Sequence, residues 1–272
     1  MRIACRAAFG FGALVVALSA GTVEADVILL DQNFESPNGF VNDGGDININ
    51  RTVNQLYANQ PAGFTFAQAF TVETLHITGN QAFGTGYSDP QHIGGNYCLG
   101  MLSTVQDDLL GLSFNMQGQA YLNFRLDISS IDLDRFGGPF NPAGSVPVFE
   151  ITLFDNPSGA TGLSGNGRIL DVVRITGVAS SARNVFNWAE RTVALNGTGS
   201  TNGNVTIRID ELNTLGSGYA ALDNFLIVAS NTAYAVPEPS TLTLHALGAG
   251  LLVASRWRGR RLLPRRDRGK SA

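Results

Sequence analysis

Apolar and polar residues alternate with period two along most of this chain, and that alternation restricts it to β structure. In segment 121–128, Leu122, Phe124, Leu126 and Ile128 share one face, while Tyr121, Asn123, Arg125 and Asp127 share the other. A strand points successive side chains to opposite faces, so such a segment buries one face and wets the other. Segments 149–153 and 205–209 read the same way. Phe64, Phe66, Phe70 and Val72 also line one face, with Gln68 as the odd member. Further strands are expected at 27–33, 109–115, 169–176, 190–195 and 221–229. No segment between 26 and 235 sustains a 3.6-residue apolar period over three turns, which excludes a helical fold. Asn42-Asp43-Gly44-Gly45, Asn156-Pro157-Ser158-Gly159, Ser164-Gly165-Asn166-Gly167 and Asn196-Gly197-Thr198-Gly199 supply turn chemistry. About ten short strands with such loops specify an all-β fold, an antiparallel β-sandwich or jelly roll, over residues 26–230. Glycine-rich stretches at 79–100 and 135–147 are expected as long loops. There is no internal repeat.

The two ends obey different rules. Arg2 and Arg6 precede an uncharged run from Ala7 to Ala20, and Val23-Glu24-Ala25 satisfies a small-residue cleavage pattern. Residues 1–25 therefore read as a secretory signal peptide, cut after Ala25 or, as second choice, after Ala20. Cys5 lies inside this leader with no lipobox following, which argues against a lipoprotein. Segment 26–235 then carries 8 arginines, no lysine and 19 carboxylates, a formal charge of −11 that the whole-chain value of −4 conceals. An acidic domain without basic stripes argues against nucleic acid and fits a cation-rich exterior or calcium. Cys98 is the one cysteine left after processing, so no intramolecular disulfide can form. About 210 residues are enough for one core without such staples.

Beyond residue 230 the chain is laid out in three parts. Val236, Pro237, Glu238, Pro239 and Ser240 form a stiff extended motif, because two prolines fix the backbone and remove donors. An apolar run follows from Thr241 to Ser255, short for a spanning helix unless Trp257 and arginine stems extend it to 241–257. Residues 256–272 hold seven Arg and one Lys against Asp267 alone, a cytoplasmic stop led by Arg256, Arg258, Arg260 and Arg261. His245 within the run has no visible acidic partner. Taken together, residues 231–272 resemble the C-terminal sorting signal of the PEP-CTERM proteins of Gram-negative bacteria. The resemblance implies recognition by an exosortase at the inner membrane, in cells that also make exopolysaccharide. It implies transient membrane anchoring, then delivery to the cell surface or extracellular matrix.

The body carries a second, weaker resemblance. Leu29-Leu30-Asp31-Gln32-Asn33-Phe34-Glu35 looks like the opening strand of carbohydrate-binding jelly-roll modules of the galactose-binding-like type. Residues 121–126 look like their central strand, and Gly218-Tyr219-Ala220-Ala221-Leu222-Asp223-Asn224-Phe225 like their closing strand. In many such modules a structural calcium joins the first and last strands, which here implies Glu35 and Asp223 as ligands. The chain departs from the sugar-binding members in lacking an evident set of aromatic residues for a binding face.

Other residue types capable of chemistry are scattered through the body. Residues 42–50 gather Asn and Asp oxygens at two-residue spacing, suited to calcium, but no bidentate Glu follows at EF-hand spacing and a hairpin turn explains them as well. His76, His92 and Cys98 match no zinc spacing, and no motif places an Asn or Asp to orient a Cys–His pair. Ser164 lacks the second glycine of a nucleophile elbow. Glu150 and Asp155 should face opposite ways, and Asp132 and Asp134 read as a solvated edge beside Arg135, so neither makes a glycosidase pair. For a sugar, Trp188 has the parity of Glu190 and the opposite parity to Val193 and Leu195, which makes Trp188 with Glu190 a candidate glycan contact facing solvent; the alternative is that Trp188 caps the sandwich edge, since large aromatics are mostly buried. Tyr57, Tyr87, Tyr97 and Tyr219 are expected in loops or at strand ends. The reading is an exported, exosortase-sorted, non-enzymatic jelly roll with a structural or adhesive role that binds exopolysaccharide. A glycan-active hydrolase on the same scaffold and a plainly membrane-anchored protein are the alternatives.

Overall fold

The computed structural model describes residues 25–41, 51–70, 72–77, 87–103, 108–130, 146–180, 182, 185–212 and 218–234. The leader up to Glu24, the motif at 236–240, the apolar run, the arginines at 256, 258, 260 and 261, the 42–50 segment, and Asp132 and Asp134 lie outside them.

Eleven strands and one short helix form along the described chain. They are β1 (Val27–Gln32), α1 (Val53–Leu56), β2 (Thr65–Ala69), β3 (Glu73–His76), β4 (Tyr97–Ser103), β5 (Leu109–Asn115), β6 (Tyr121–Ser130), β7 (Val148–Asp155), β8 (Ile169–Thr176), β9 (Asn187–Asn196), β10 (Asn204–Glu211) and β11 (Gly218–Ser230). One sheet has the order β3-β4-β11-β6-β9, with β1 pairing β11 as a sixth strand; the other runs β2-β5-β10-β7-β8. All strand pairings are antiparallel. Apart from the β3–β4 and β7–β8 hairpins, every connection crosses from one sheet to the other, so the chain wraps its core as a β-sandwich.

Period-two parity sets the core. Leu122, Phe124, Leu126 and Ile128 of β6 are fully buried and belong to one apolar cluster with Phe149, Ile151 and Leu153 of β7 and Val205, Ile207 and Ile209 of β10. Each such side chain contributes roughly 1.5–3 kcal/mol by leaving water. Residues Phe64, Phe66 and Val72 join that cluster as expected. Phe70 does not: it adopts φ 59° and is 58% exposed, because the chain turns there and the face is broken. The stretch read as a loop at 79–100 also ends differently, since Tyr97 to His76 pairing makes its last residues an interior strand between β3 and β11.

The outer face of the six-stranded sheet is not open to water over its whole extent. Leu75, Ile77, Tyr87, Cys98, Phe186, Trp188, Tyr219 and Ala221 form a second apolar cluster there. The segment 87–96 roofs it, pinned by a parallel bridge between Ser88 and Val185 and by the Phe186 amide donating to the Ser88 carbonyl at 2.9 Å. Beside this roof, β11 carries a bulge between Asp223 and Leu226, with Asn224 at φ 52°. That bulge positions the site.

Candidate functional site

Strand pairing brings the first and last strands together: Gln32 of β1 lies opposite Phe225 of β11, with Glu35 three residues beyond and Asp223 two residues before. Asp223 also faces Asp127 across the β11–β6 ladder, and Asp127 faces Glu190 on β9. The segment 93–97 ties these strands into one region. Glu35 accepts from the Asn96 backbone amide at 2.8 Å, from the Asn96 side-chain amide at 2.9 Å and from the Tyr97 amide at 3.2 Å. Gly95 adopts φ 57° and lies against the Glu35 carboxylate, where a Cβ would come 2.1 Å from Oε1; the left-handed backbone and the close approach together favour glycine. Asn224 donates to the Ile93 carbonyl at 3.2 Å and to Asp127 at 2.9 Å.

Asp223 is the exceptional member. It is 1% exposed, its Oδ1 accepts from the Asn224 amide at 2.7 Å, and its Oδ2 is buried with no hydrogen-bond partner. Burial pushes its carboxyl up to about 9, the Asn224 amide opposes that rise, and the negative charges of Glu35, Asp127 and Asp89 add to it. Burial also raises Asp127. An unpartnered buried carboxylate oxygen amid other carboxylates is the setting that a hard, oxygen-seeking cation relieves. Among the described residues no three His, Cys, Asp or Glu side chains converge as a metal-binding group. A calcium ion here would accordingly use Asp223 and Glu35 together with amide, backbone or water oxygens, a mixture that calcium accepts.

Of the two readings of Trp188, the structure matches the buried one rather than the exposed glycan contact. Its parity is as read, on the face opposite Val193 and Leu195, but it is 4% exposed and stacks on Phe186 at 5.2 Å with the rings 2° from parallel. A Cβ at Gly94 would lie 2.5 Å from its ring. Gln91 hydrogen-bonds both the amide and the carbonyl of Trp188, which fastens the roof to β9. Parity was a correct guide to face and a wrong guide to exposure, because the face itself is covered. Glu190 does reach solvent and pairs with Arg125 at 3.9 Å, with side chains 62% and 46% exposed.

Sequence reasoning missed a ring cluster. Phe40, His76 and Tyr97 are each half-buried; His76 and Tyr97 stack at 4.9 Å, and Phe40 meets Tyr97 edge-on at 4.9 Å and His76 at 6.0 Å. The β3–β4 ladder juxtaposes His76 and Tyr97, and the exposed Asn96 and the Glu35 carboxylate adjoin them. The signal was unavailable locally, since Phe40 comes from 36 residues away in sequence from His76.

The remaining candidates are resolved by their surroundings. Cys98 is fully buried, and burial together with the nearby carboxylates holds its thiol well above the usual range, so it is no thiolate nucleophile. His92 is exposed and its backbone amide is held by Asp89 at 3.1 Å. Ser164 lies in the turn closed by the Gly167 amide donating to its carbonyl. Glu150 and Asp155 do point to opposite faces: Glu150 pairs with Arg174 at 2.9 Å on the outside, whereas Asp155 is buried among loop donors.

No protein-family model matches the chain, and no curated protein does. Among solved structures it is similar to the K3 cleaved adhesin domain of Lys-gingipain from Porphyromonas gingivalis W83, at TM-score 0.36 and 12% identity, covering 75% of this chain and 99% of that one. It is also similar to the CBM22-1 xylan-binding domain of Paenibacillus barcinonensis Xyn10C, at TM-score 0.35 and 12% identity, covering 78% and 100%. A third likeness is to isomalto-dextranase from Arthrobacter globiformis T6 complexed with panose, at TM-score 0.33 and 13% identity, covering 61% of this chain and 23% of that one. Overlaps this low assign no activity to the chain.

Proposed function

We propose that this is an exported, exosortase-sorted protein of the cell surface or extracellular matrix whose β-sandwich binds exopolysaccharide without cleaving it. The observation that carries the binding reading is the half-exposed cluster of Phe40, His76 and Tyr97 beside Asn96 and Glu35. Ring faces offer apolar area to the C–H face of a pyranose, while neighbouring amides and carboxylates meet its hydroxyls. A calcium ion at Glu35 and Asp223 would fix the 93–97 segment that carries Tyr97, and would thereby preorganise the ring cluster. The destination rests on the Pro237-Glu238-Pro239 motif, the apolar run and the arginine block.

One expression experiment with two arms tests this. Wild-type protein should be recovered outside the cell with its tail removed and should sediment with exopolysaccharide. The Pro237→Ala/Pro239→Ala variant should stay uncut in the inner membrane. The Tyr97→Ala variant should be exported normally but lose about 1–3 kcal/mol of polysaccharide binding. Normal maturation of the proline variant overturns the sorting reading, and unchanged sedimentation of Tyr97→Ala overturns the ring cluster as the binding surface.

A further inference from the structure

At the open edge of the sandwich, away from the carboxylate region, lies a cavity of about 550 Å³ between the start of β1, the turn before β2 and the end of β5. That volume falls within the roughly 300–1,000 Å³ of small-ligand sites. Its wall includes Phe64 and Phe114, stacked at 5.2 Å with rings 3° from parallel and each 5% exposed, so that a ring edge reaches the space. On the polar side stand Asn115, Gln117 and Gln119. Two turns build the mouth. The Phe64 amide donates to the Pro61 carbonyl at 3.0 Å with Gly63 at φ 82°, and the Gln119 amide donates to the Met116 carbonyl at 3.1 Å with Gln117 and Gly118 at φ 55° and 82°. The second turn needs positive φ at both central positions, and it leaves the Gln117 side chain in solvent at the rim.

The decisive feature is charge. Eleven of the twelve lining residues remain after cleavage at Ala25 and none of their side chains is ionisable, although the segment 26–235 carries 19 carboxylates and 8 arginines; the new terminus at Asp26 sets an ammonium beside its own carboxylate, a net-neutral pair at the rim. An acidic ligand entering here finds no cationic side chain in the wall and meets the field of an acidic domain, and a cationic one finds no carboxylate in the wall. Aromatic edge, aliphatic wall and carboxamides together match a ligand that is neutral, amphipathic and rich in hydroxyls.

We propose that this cavity is a docking site for neutral oligosaccharide, separate from the ring cluster at the β3–β4 edge. The proposal rests on the polysaccharide reading and adds a second site to it. Strand β1 starts at the cavity with Ile28, and Glu35, three residues past the end of that strand, lies beside the ring cluster. Two sites on one module convert weak contacts with a repeating polymer into avid ones.

The test titrates the purified full chain in detergent with neutral gluco-, galacto-, manno- and xylo-oligosaccharides and with oligogalacturonate, by calorimetry. Ala62 is exposed at the mouth, so Ala62→Trp plugs the cavity without touching the core, and a melting curve verifies the fold. At least one neutral oligosaccharide should bind in two steps, one of them weakened about ten-fold or more in Ala62→Trp and in Gln117→Glu, and the step that survives in those variants should be lost only when Tyr97→Ala is added. If a neutral sugar binds wild type and Ala62→Trp equally, the cavity is not the site while the polysaccharide reading survives. Preference for oligogalacturonate overturns the neutral assignment. If no sugar binds wild type at all, the polysaccharide reading itself fails and takes this site with it.

Discussion

Two buried aspartates in this sandwich have opposite fates. Asp155, at the end of β7, is fully buried yet fully served: it accepts from the Thr201 amide at 2.9 Å, the Thr201 hydroxyl at 2.6 Å and the Ser200 hydroxyl at 3.3 Å, with Arg168 at 3.4 Å. Those donors, the Thr201 amide first, hold its carboxyl below the usual range. Asp223 is as deeply buried, but only one of its oxygens finds a donor and its neighbours are carboxylates, so its carboxyl rises to about 9. The side chain is the same in both places, and burial alone decides neither outcome. What decides is whether the surrounding loops aim N–H and O–H groups at the charge. Asp155 is completed by its own fold and latches the loop after β7 to the loop before β10; Asp223 keeps one buried oxygen without a donor.

The largest effect should come from removing the roof over the Asp223 side. Trp188→Ala deletes a ring packed on Phe186 and beneath the 91–94 segment, and should lower stability by about 3–5 kcal/mol in denaturant unfolding. The same change frees the segment whose Ile93 carbonyl holds Asn224, so the Asp223 carboxyl should fall toward that of an ordinary aspartate in an NMR titration. A loss below about 1 kcal/mol would show that the ring is not architectural.

Next in size is the response of Asp223 to pH and calcium. Its folded carboxyl titrates near 9 against 3.8 for the free side chain, so the protonated form favours folding. That stabilisation is complete below about pH 4 and is lost progressively as pH rises toward 9. In chelator, thermal unfolding should therefore move to lower temperature across that window. Calcium at about a hundred times its dissociation constant should restore about 2.7 kcal/mol at neutral pH, and Asp223→Asn should abolish both dependences. Identical melting curves with calcium and with chelator would remove the site.

The smallest effect belongs to the completed aspartate. Asp155→Asn should lower the melting temperature by several degrees at neutral pH, because it exchanges a charged acceptor for an amide among donors. The wild-type advantage is present above the usual carboxylate range and lost as pH falls through the depressed folded value, so the two melting curves should converge in acid. A difference that persists undiminished in acid would mean the latch is steric rather than electrostatic.

Much of the fold was legible because strand parity is a local property. The inward faces of β6, β7 and β10 follow directly from alternation at 121–128, 149–153 and 205–209. The site was legible only in part. Glu35 and Asp223 could be named as a pair, but the Asp223–Leu226 bulge that leaves one oxygen bare, and the ring cluster that unites Phe40 with His76 and Tyr97, could not. Strand β4 went unread because Tyr97-Cys98-Leu99-Gly100-Met101 lies between two covered faces, and a strand buried on both sides has no alternation to show.

By itself, then, the sequence determined that the body is all-β, which residues of β6, β7 and β10 look inward, and that its charge is strongly negative between two ends of different character. Only the tertiary structure decided that Trp188 is architecture, that Cys98 is shut away, and which buried carboxylate is satisfied. The physical reason is the range of the interactions. Side-chain direction along a strand is fixed by the residue's own backbone, whereas exposure and hydrogen-bond completion depend on loops that arrive from dozens of residues away. Gln91 and Trp188 are 97 positions apart, and the bare oxygen of Asp223 sits at a bulge that no single-strand pattern encodes.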